Sequence, residues 1–109
     1  MPTLNAMGRR GSWFAKIEGK QIPCVHAHWK TDHNYNDPGY RQTGAKWPDF
    51  IGALETLKLA ALTSDIRPHG NTFRRTGYIA LYKIDNVRIE GENLRFEFIE
   101  KIALLRRGH

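Results

Sequence analysis

The sequence predicts an α+β fold. The expected form is a small, strongly bent antiparallel sheet or open β-barrel of about five strands, in the order β-β-α-β-β-β, with one main helix at about residues 48–62. Three observations lead there. Several short runs alternate apolar and polar residues with period two. One run, between them, repeats apolar residues with helical period. Glycine-bearing turns separate the strand-like runs. The chain of 109 residues leaves room for one domain. It is 40% hydrophobic, with three Trp, four Tyr and five Phe, enough to fill a core without disulfides or metal.

Residues 1–11 hold Pro2, Gly8, Gly11, Arg9 and Arg10 and no acid, and read as a flexible basic arm. A single domain is expected over 12–105, followed by a frayed tail at 106–109. Ser12 to Ile17 reads as a first strand and Gln21 to Trp29 as a second, joined by the turn Glu18-Gly19-Lys20. On that second strand, alternation sets Val25, Ala27 and Trp29 against Cys24, His26 and His28. A long polar loop follows over 30–46, turning at Asp37-Pro38-Gly39. The helix starts with Pro48 at a first-turn position and Asp49 near the positive end of the dipole. Phe50, Leu54, Leu57 and Ala61 then recur at helical spacing.

Residues 63–76 read as a second polar connector. Tyr78 to Ile84 is a strand, and Val87 to Phe98 is a hairpin turning at Gly91-Glu92-Asn93. The apolar parity changes between Ile84 and Val87, which predicts a bulge at Asp85-Asn86. Arg88, Glu90, Arg95 and Glu97 fall on the wet face of this hairpin, where cross-strand charge pairs are mildly favourable. Ile102, Leu104 and Leu105 continue the last strand or begin a short helix.

The charge is +6, from 17 Lys and Arg against 11 Asp and Glu. It is unevenly spread: residues 1–78 carry 11 cations against six acids, and the remainder six against five. Such a chain attracts polyanions, although +6 also serves solubility alone. The one cysteine, Cys24, has no internal partner, which fits a reducing cytoplasm. The N-terminus lacks the order of charges and apolar stretch that a signal peptide needs. No apolar run is long enough to span a bilayer as a helix. A cytoplasmic protein without membrane contact is therefore expected.

Two constellations could carry chemistry. The first is Cys24-x-His26-x-His28, whose donor types suit zinc. On one strand Cys24 and His28 would stand about 13 Å apart, too far for one ion. A metal would use His26 and His28, or Cys24 and His26, and the competing reading is a mixed, partly solvated sheet face. The histidines could also act as acid or base, but no spacing selects a partner. No glycine-rich phosphate loop is present, and no cofactor is expected.

The second constellation interleaves cations with aromatic rings: Arg9, Arg10, Trp13 and Phe14; then Lys30, Tyr35, Tyr40, Arg41, Lys46 and Trp47; then Arg67, His69, Phe73, Arg74, Arg75 and Tyr78. Cations meet phosphates and flat rings stack on unpaired bases. The competing reading makes the rings core and the cations solvated surface. The layout is similar to that of PUA-like and other small-barrel nucleic-acid modules. No stretch carries their signatures, and a fold does not by itself imply a function.

The expected function is a small basic nucleic-acid-binding module without catalytic activity. Arg9, Arg10, Arg41, Lys46, Arg67, Arg74 and Arg75 would meet phosphates, and Tyr35 and Tyr40 would stack or hydrogen-bond. The alternative is a protein-interaction module, an accessory or inhibitor subunit whose partner is another protein. A third reading is a small enzyme or metal site using His26 and His28.

Overall fold

The computed structural model describes the backbone of residues 1–8, 13–39, 42–69 and 72–108, and the side chains within these except 65–69 and 72–76. The described strands are β1 (Thr3–Ala6), β2 (Phe14–Ile17), β3 (Lys20–His26), β4 (Lys30–Thr31), β5 (Asn34–Asp37), β6 (Leu59–His69), β7 (Thr72–Glu90) and β8 (Asn93–Arg107). The helix α1 spans Trp47–Leu57, between β5 and β6. The fold is thus α+β with one main helix, as expected.

The sheet is larger than expected and is not closed. It has eight strands rather than about five, in the order β2-β3-β6-β7-β8-β5-β4, with β1 also on β8. Most pairings are antiparallel, but β3–β6 and β1–β8 are parallel. A lone antiparallel bridge from Met7 to Lys16 ties the residue after β1 to β2.

Two apolar clusters occupy the two faces of this sheet. One gathers Val25, Tyr35, Leu62, Ile84, Phe96 and Phe98 under Phe50 and Leu54 of α1. The other gathers Ala6, Ala15, Ile22, Cys24, Ala61, Leu81, Ala103 and Leu105. Neighbouring residues of β3 and β6 divide between them: Cys24 pairs with Ala61 on one face, Val25 with Leu62 on the other.

That division explains where the helix stops. The helix was expected to run to residue 62, but it ends at Leu57, and Leu59-Ala60-Ala61-Leu62 belongs to a central strand buried on both faces. Such a strand is a continuous apolar run, and periodicity cannot separate it from a buried helical turn. Lys58 makes the break: it adopts a left-handed φ of 54°, and its amide donates to the Leu54 carbonyl at 3.1 Å.

Several turns follow the sequence. β2 and β3 form a hairpin closing at Ile17↔Lys20, with Glu18 and Gly19 both at positive φ (50° and 81°), as a type I′ turn requires. Asp37 Oδ1 accepts the Gly39 amide at 2.9 Å. Gly39 is needed there, since a Cβ would lie 2.5 Å from the Glu92 carbonyl oxygen. The β7–β8 hairpin turns at Gly91-Glu92, and its register shifts between Asp85 and Arg88, where the parity change predicted a bulge. On its outer side Arg88 pairs with Glu90 at 2.8 Å and Glu97 at 2.9 Å, and Arg95 pairs with Glu90 at 3.0 Å.

Other segments differ from the reading above. Thr3–Ala6, within the expected arm, is a strand in parallel register with Leu104–Arg107. Arg106 and Arg107, expected to fray, pair with Asn5 and Ala6, and Arg106 Nε donates to Asn5 Oδ1 at 2.7 Å. β4 and β5 occupy part of the expected 30–46 loop. The second strand stops at His26, and Ala27–Trp29 forms a 3₁₀ turn that breaks the alternation.

The connector expected at 63–76 is instead the far end of the β6–β7 hairpin. β3 accompanies β6 only as far as Thr63, and β8 accompanies β7 only from Ala80 onward. Beyond those points residues 64–69 and 72–77 pair with each other and, among the described residues, with no third strand. The pairs are Ser64↔Gly77, Asp65↔Arg75, Ile66↔Arg74 and His69↔Thr72. One register shift spans Arg67 and Pro68. Pro68 has no N–H to donate, and a bulge is where a strand tolerates it.

Candidate nucleic-acid interface

Two of the basic and aromatic segments end at Trp13 and Trp47, which are in contact. Trp13 stands directly after residues 9–12, and Trp47 opens α1 directly after the loop that holds residues 40–46. Their rings meet edge to face, with centroids 6.3 Å apart and an interplanar angle of 73°. Both rest on Phe50, at 5.5 Å for Trp13 and 5.8 Å for Trp47. Phe14 reaches the same ring at 6.5 Å. Phe50 is fully buried, while Trp13, Phe14 and Trp47 are half-buried at the edge of the core. Lys46, exposed, occupies the N-cap position beside Trp47.

Tyr78, at the root of the 64–79 ribbon, packs on the second apolar cluster, and its hydroxyl comes close to Gly8 beside the backbone of β2. Gly8 passes so close to Tyr78 that an added Cβ would sit 3.0 Å from the tyrosine hydroxyl, and 3.1 Å from the Phe14 carbonyl oxygen. Tyr78 pairs with Thr63 where the ribbon begins. Gly8 is thus a neighbour of Tyr78, and Trp13 of Trp47, the two contacts lying at different apolar clusters.

The candidate residues fall into three groups. Lys46 is described and exposed at this junction. Arg67, Arg74 and Arg75 lie on the ribbon by backbone position. Arg9, Arg10, Tyr40 and Arg41 lie outside the described residues.

Tyr35 is elsewhere, in the core. It is 1% exposed, its ring stacks on Phe96 with centroids 4.6 Å apart, and its hydroxyl accepts the His26 amide at 3.1 Å. That burial leaves no ring face on which a base could stack. The period-two pattern of β5 was obscured by its position inside a polar run: only Tyr35 and Asp37 of that strand point inward.

The two histidines diverge in setting. His26 is 8% exposed at the end of β3, and its ring meets Trp29 at 5.0 Å. His28 is exposed on the 3₁₀ turn. Cys24 belongs to the opposite cluster, where its thiol faces the Ile22 carbonyl. Among the described residues no three His, Cys, Asp or Glu side chains form a group able to hold a metal.

A separate open cleft of about 400 Å³ lies where β8 has lost β5 as a neighbour and not yet gained β1. Lys30 Nζ lies 5.7 Å and Lys101 Nζ 5.9 Å from the centre of the Tyr82 ring, and Asp32 and Glu100 stand among the lining residues. Tyr82 falls within the expected strand Tyr78 to Ile84, Lys101 was given no role, and nothing in their spacing marks them.

No family model matches the chain, no curated protein matches it, and no solved structure matches it. No helix among the described residues is long and apolar enough to cross a membrane.

Proposed function

We propose that the protein is a small basic nucleic-acid-binding module that works without catalysis. The observation that supports this reading is at the ends of the cation-rich segments, where Trp13 touches Trp47 and Gly8 lies beside Tyr78. Seven cations belong to those segments: Arg9 and Arg10 on the arm, Arg41 and Lys46 on the loop, and Arg67, Arg74 and Arg75 on the ribbon. Phosphate contact by such a set is electrostatic and independent of sequence. The half-buried tryptophan edges beside it offer apolar surface to sugars or unpaired bases. In the β7–β8 hairpin Glu90 and Glu97 pair with Arg88 and Arg95, which ties these charges to the stability of the hairpin.

The test is binding of a labelled oligonucleotide followed by anisotropy at two salt concentrations. A surface using six or seven phosphate contacts should lose at least about 10³-fold in affinity between 50 and 200 mM salt. Arg74→Glu with Arg75→Glu should abolish binding while the thermal midpoint stays unchanged. Absence of binding at low salt, or binding indifferent to the double reversal, would refute the reading.

A further inference from the structure

We infer that the open edge of β8 at residues 99–103 takes an extended peptide as an added strand, with an acidic side chain of that peptide seated between Lys30 and Lys101. β8 has β7 on one side; on the other it has first β5 and then β1. The Phe98 amide makes the last bond toward β5, to the His33 carbonyl at 2.7 Å. The Leu104 amide makes the first toward β1, to the Pro2 carbonyl at 2.9 Å. Between them, residues 99–103 pair with no strand on that side among the described residues. An edge that stops and resumes leaves main-chain donors and acceptors aimed outward, and another extended chain is the partner that satisfies such a row. The gap is about 16 Å of extended chain, the length of a short peptide segment.

The side chains around the gap select the peptide. Lys101 stands opposite Tyr82, and its Nζ lies 5.9 Å from the centre of that ring. Lys30 Nζ reaches the same ring at 5.7 Å and that of Phe98 at 5.2 Å. Neither ammonium group forms an ion pair with a described carboxylate; Lys30 donates to the backbone carbonyl of Asp32 at 2.6 Å. Glu100 stands opposite Lys83, and successive strand residues point to opposite faces, so its carboxylate leaves the face that carries Lys101. A strand added here sets one residue beside Lys101. An acid at that place meets both ammonium groups in a favourable cross-strand pairing. Ile99 and Ile102, 56% and 37% exposed, flank Glu100 and Lys101 and offer apolar contact to the neighbours of that acid. Asp32 and Glu100 in the cleft lining suit a single carboxylate better than a polyphosphate. A second copy of the chain, paired antiparallel about the middle of the gap, would set Lys101 directly against the same lysine of the other copy, which is unfavourable.

The probe is a short labelled peptide of alternating threonine and valine with a central aspartate, followed by anisotropy. It should bind at least about tenfold tighter than the same peptide with a central lysine. Lys101→Glu, at an exposed position, should reverse that preference. Methylating alternate backbone nitrogens of the peptide should abolish binding, and amide exchange at residues 99–103 should slow when the unmodified peptide is added. Absence of binding, equal binding of the aspartate and lysine peptides, or binding indifferent to backbone methylation would overturn the inference. So would a dimer in sedimentation that Lys101→Glu dissolves, which would give the edge to a second copy. None of these outcomes bears on oligonucleotide binding, which is measured separately.

Discussion

Tyr35 joins three strands that are remote in sequence. It sits on β5, stacks on Phe96 of β8, and accepts the amide of His26 at the end of β3. All of this is inside the core, so removing the hydroxyl withdraws a partner from a buried amide. Tyr35→Phe should destabilise the protein by about 1–3 kcal/mol in denaturant titration and leave oligonucleotide affinity unchanged. A loss of affinity without a loss of stability would return Tyr35 to the interface. At Glu90, hydrogen bonds from Arg88 and then Arg95 hold the carboxyl below its usual range. A lowered carboxyl stabilises the fold above the ordinary glutamate pKa of about 4.3, and that contribution fades as pH falls through the lowered value. The thermal midpoint should therefore drop below about pH 4.3, and Glu90→Gln should flatten that part of the profile.

Elements show where the chain is legible and where it is not. The β2–β3 hairpin and the β7–β8 hairpin could be read directly, because a glycine at the turn and alternation on both sides are local signals. Even the bulge near Asp85 was visible as a change of parity. β6 was not, since Ala60–Thr63 is buried on both faces and looks like the last turn of the helix before it. β1 escaped notice because its partner, Leu104–Arg107, lies about a hundred residues away and four residues carry no period. The ribbon was hidden by Pro68, which reads as a breaker unless the strand has a bulge to accept it. Of the candidate site, the cation-rich segments were recognisable by composition, while the contact of Trp13 with Trp47 depends on long-range packing that no spacing encodes. The helix offers a direct check of this packing. Leu54→Ala, at a fully buried position, should cost about 2–5 kcal/mol, whereas Leu57→Ala, 38% exposed, should stay within about 0.5 kcal/mol. Lys58→Gly should stabilise by about 1 kcal/mol, because glycine takes the left-handed φ without penalty.

At the scale of the whole molecule the charge is unevenly spread along the chain. Glu90 and Glu97 of the β7–β8 hairpin pair with Arg88 and Arg95, and the proposal is that the cation-rich segments form one surface next to the contact of Trp13 with Trp47. If they form one surface, each should contribute separately and additively to phosphate contact. The most direct measurement is the slope of log affinity for duplex DNA against log salt, in the unaltered protein and in three paired variants: Arg9→Ala with Arg10→Ala, Arg41→Ala with Lys46→Ala, and Arg74→Ala with Arg75→Ala. Seven contacts predict a slope near −6, and each pair should reduce its magnitude by about 2. A slope near zero, or one that responds to a single pair and ignores the other two, would contradict a shared interface.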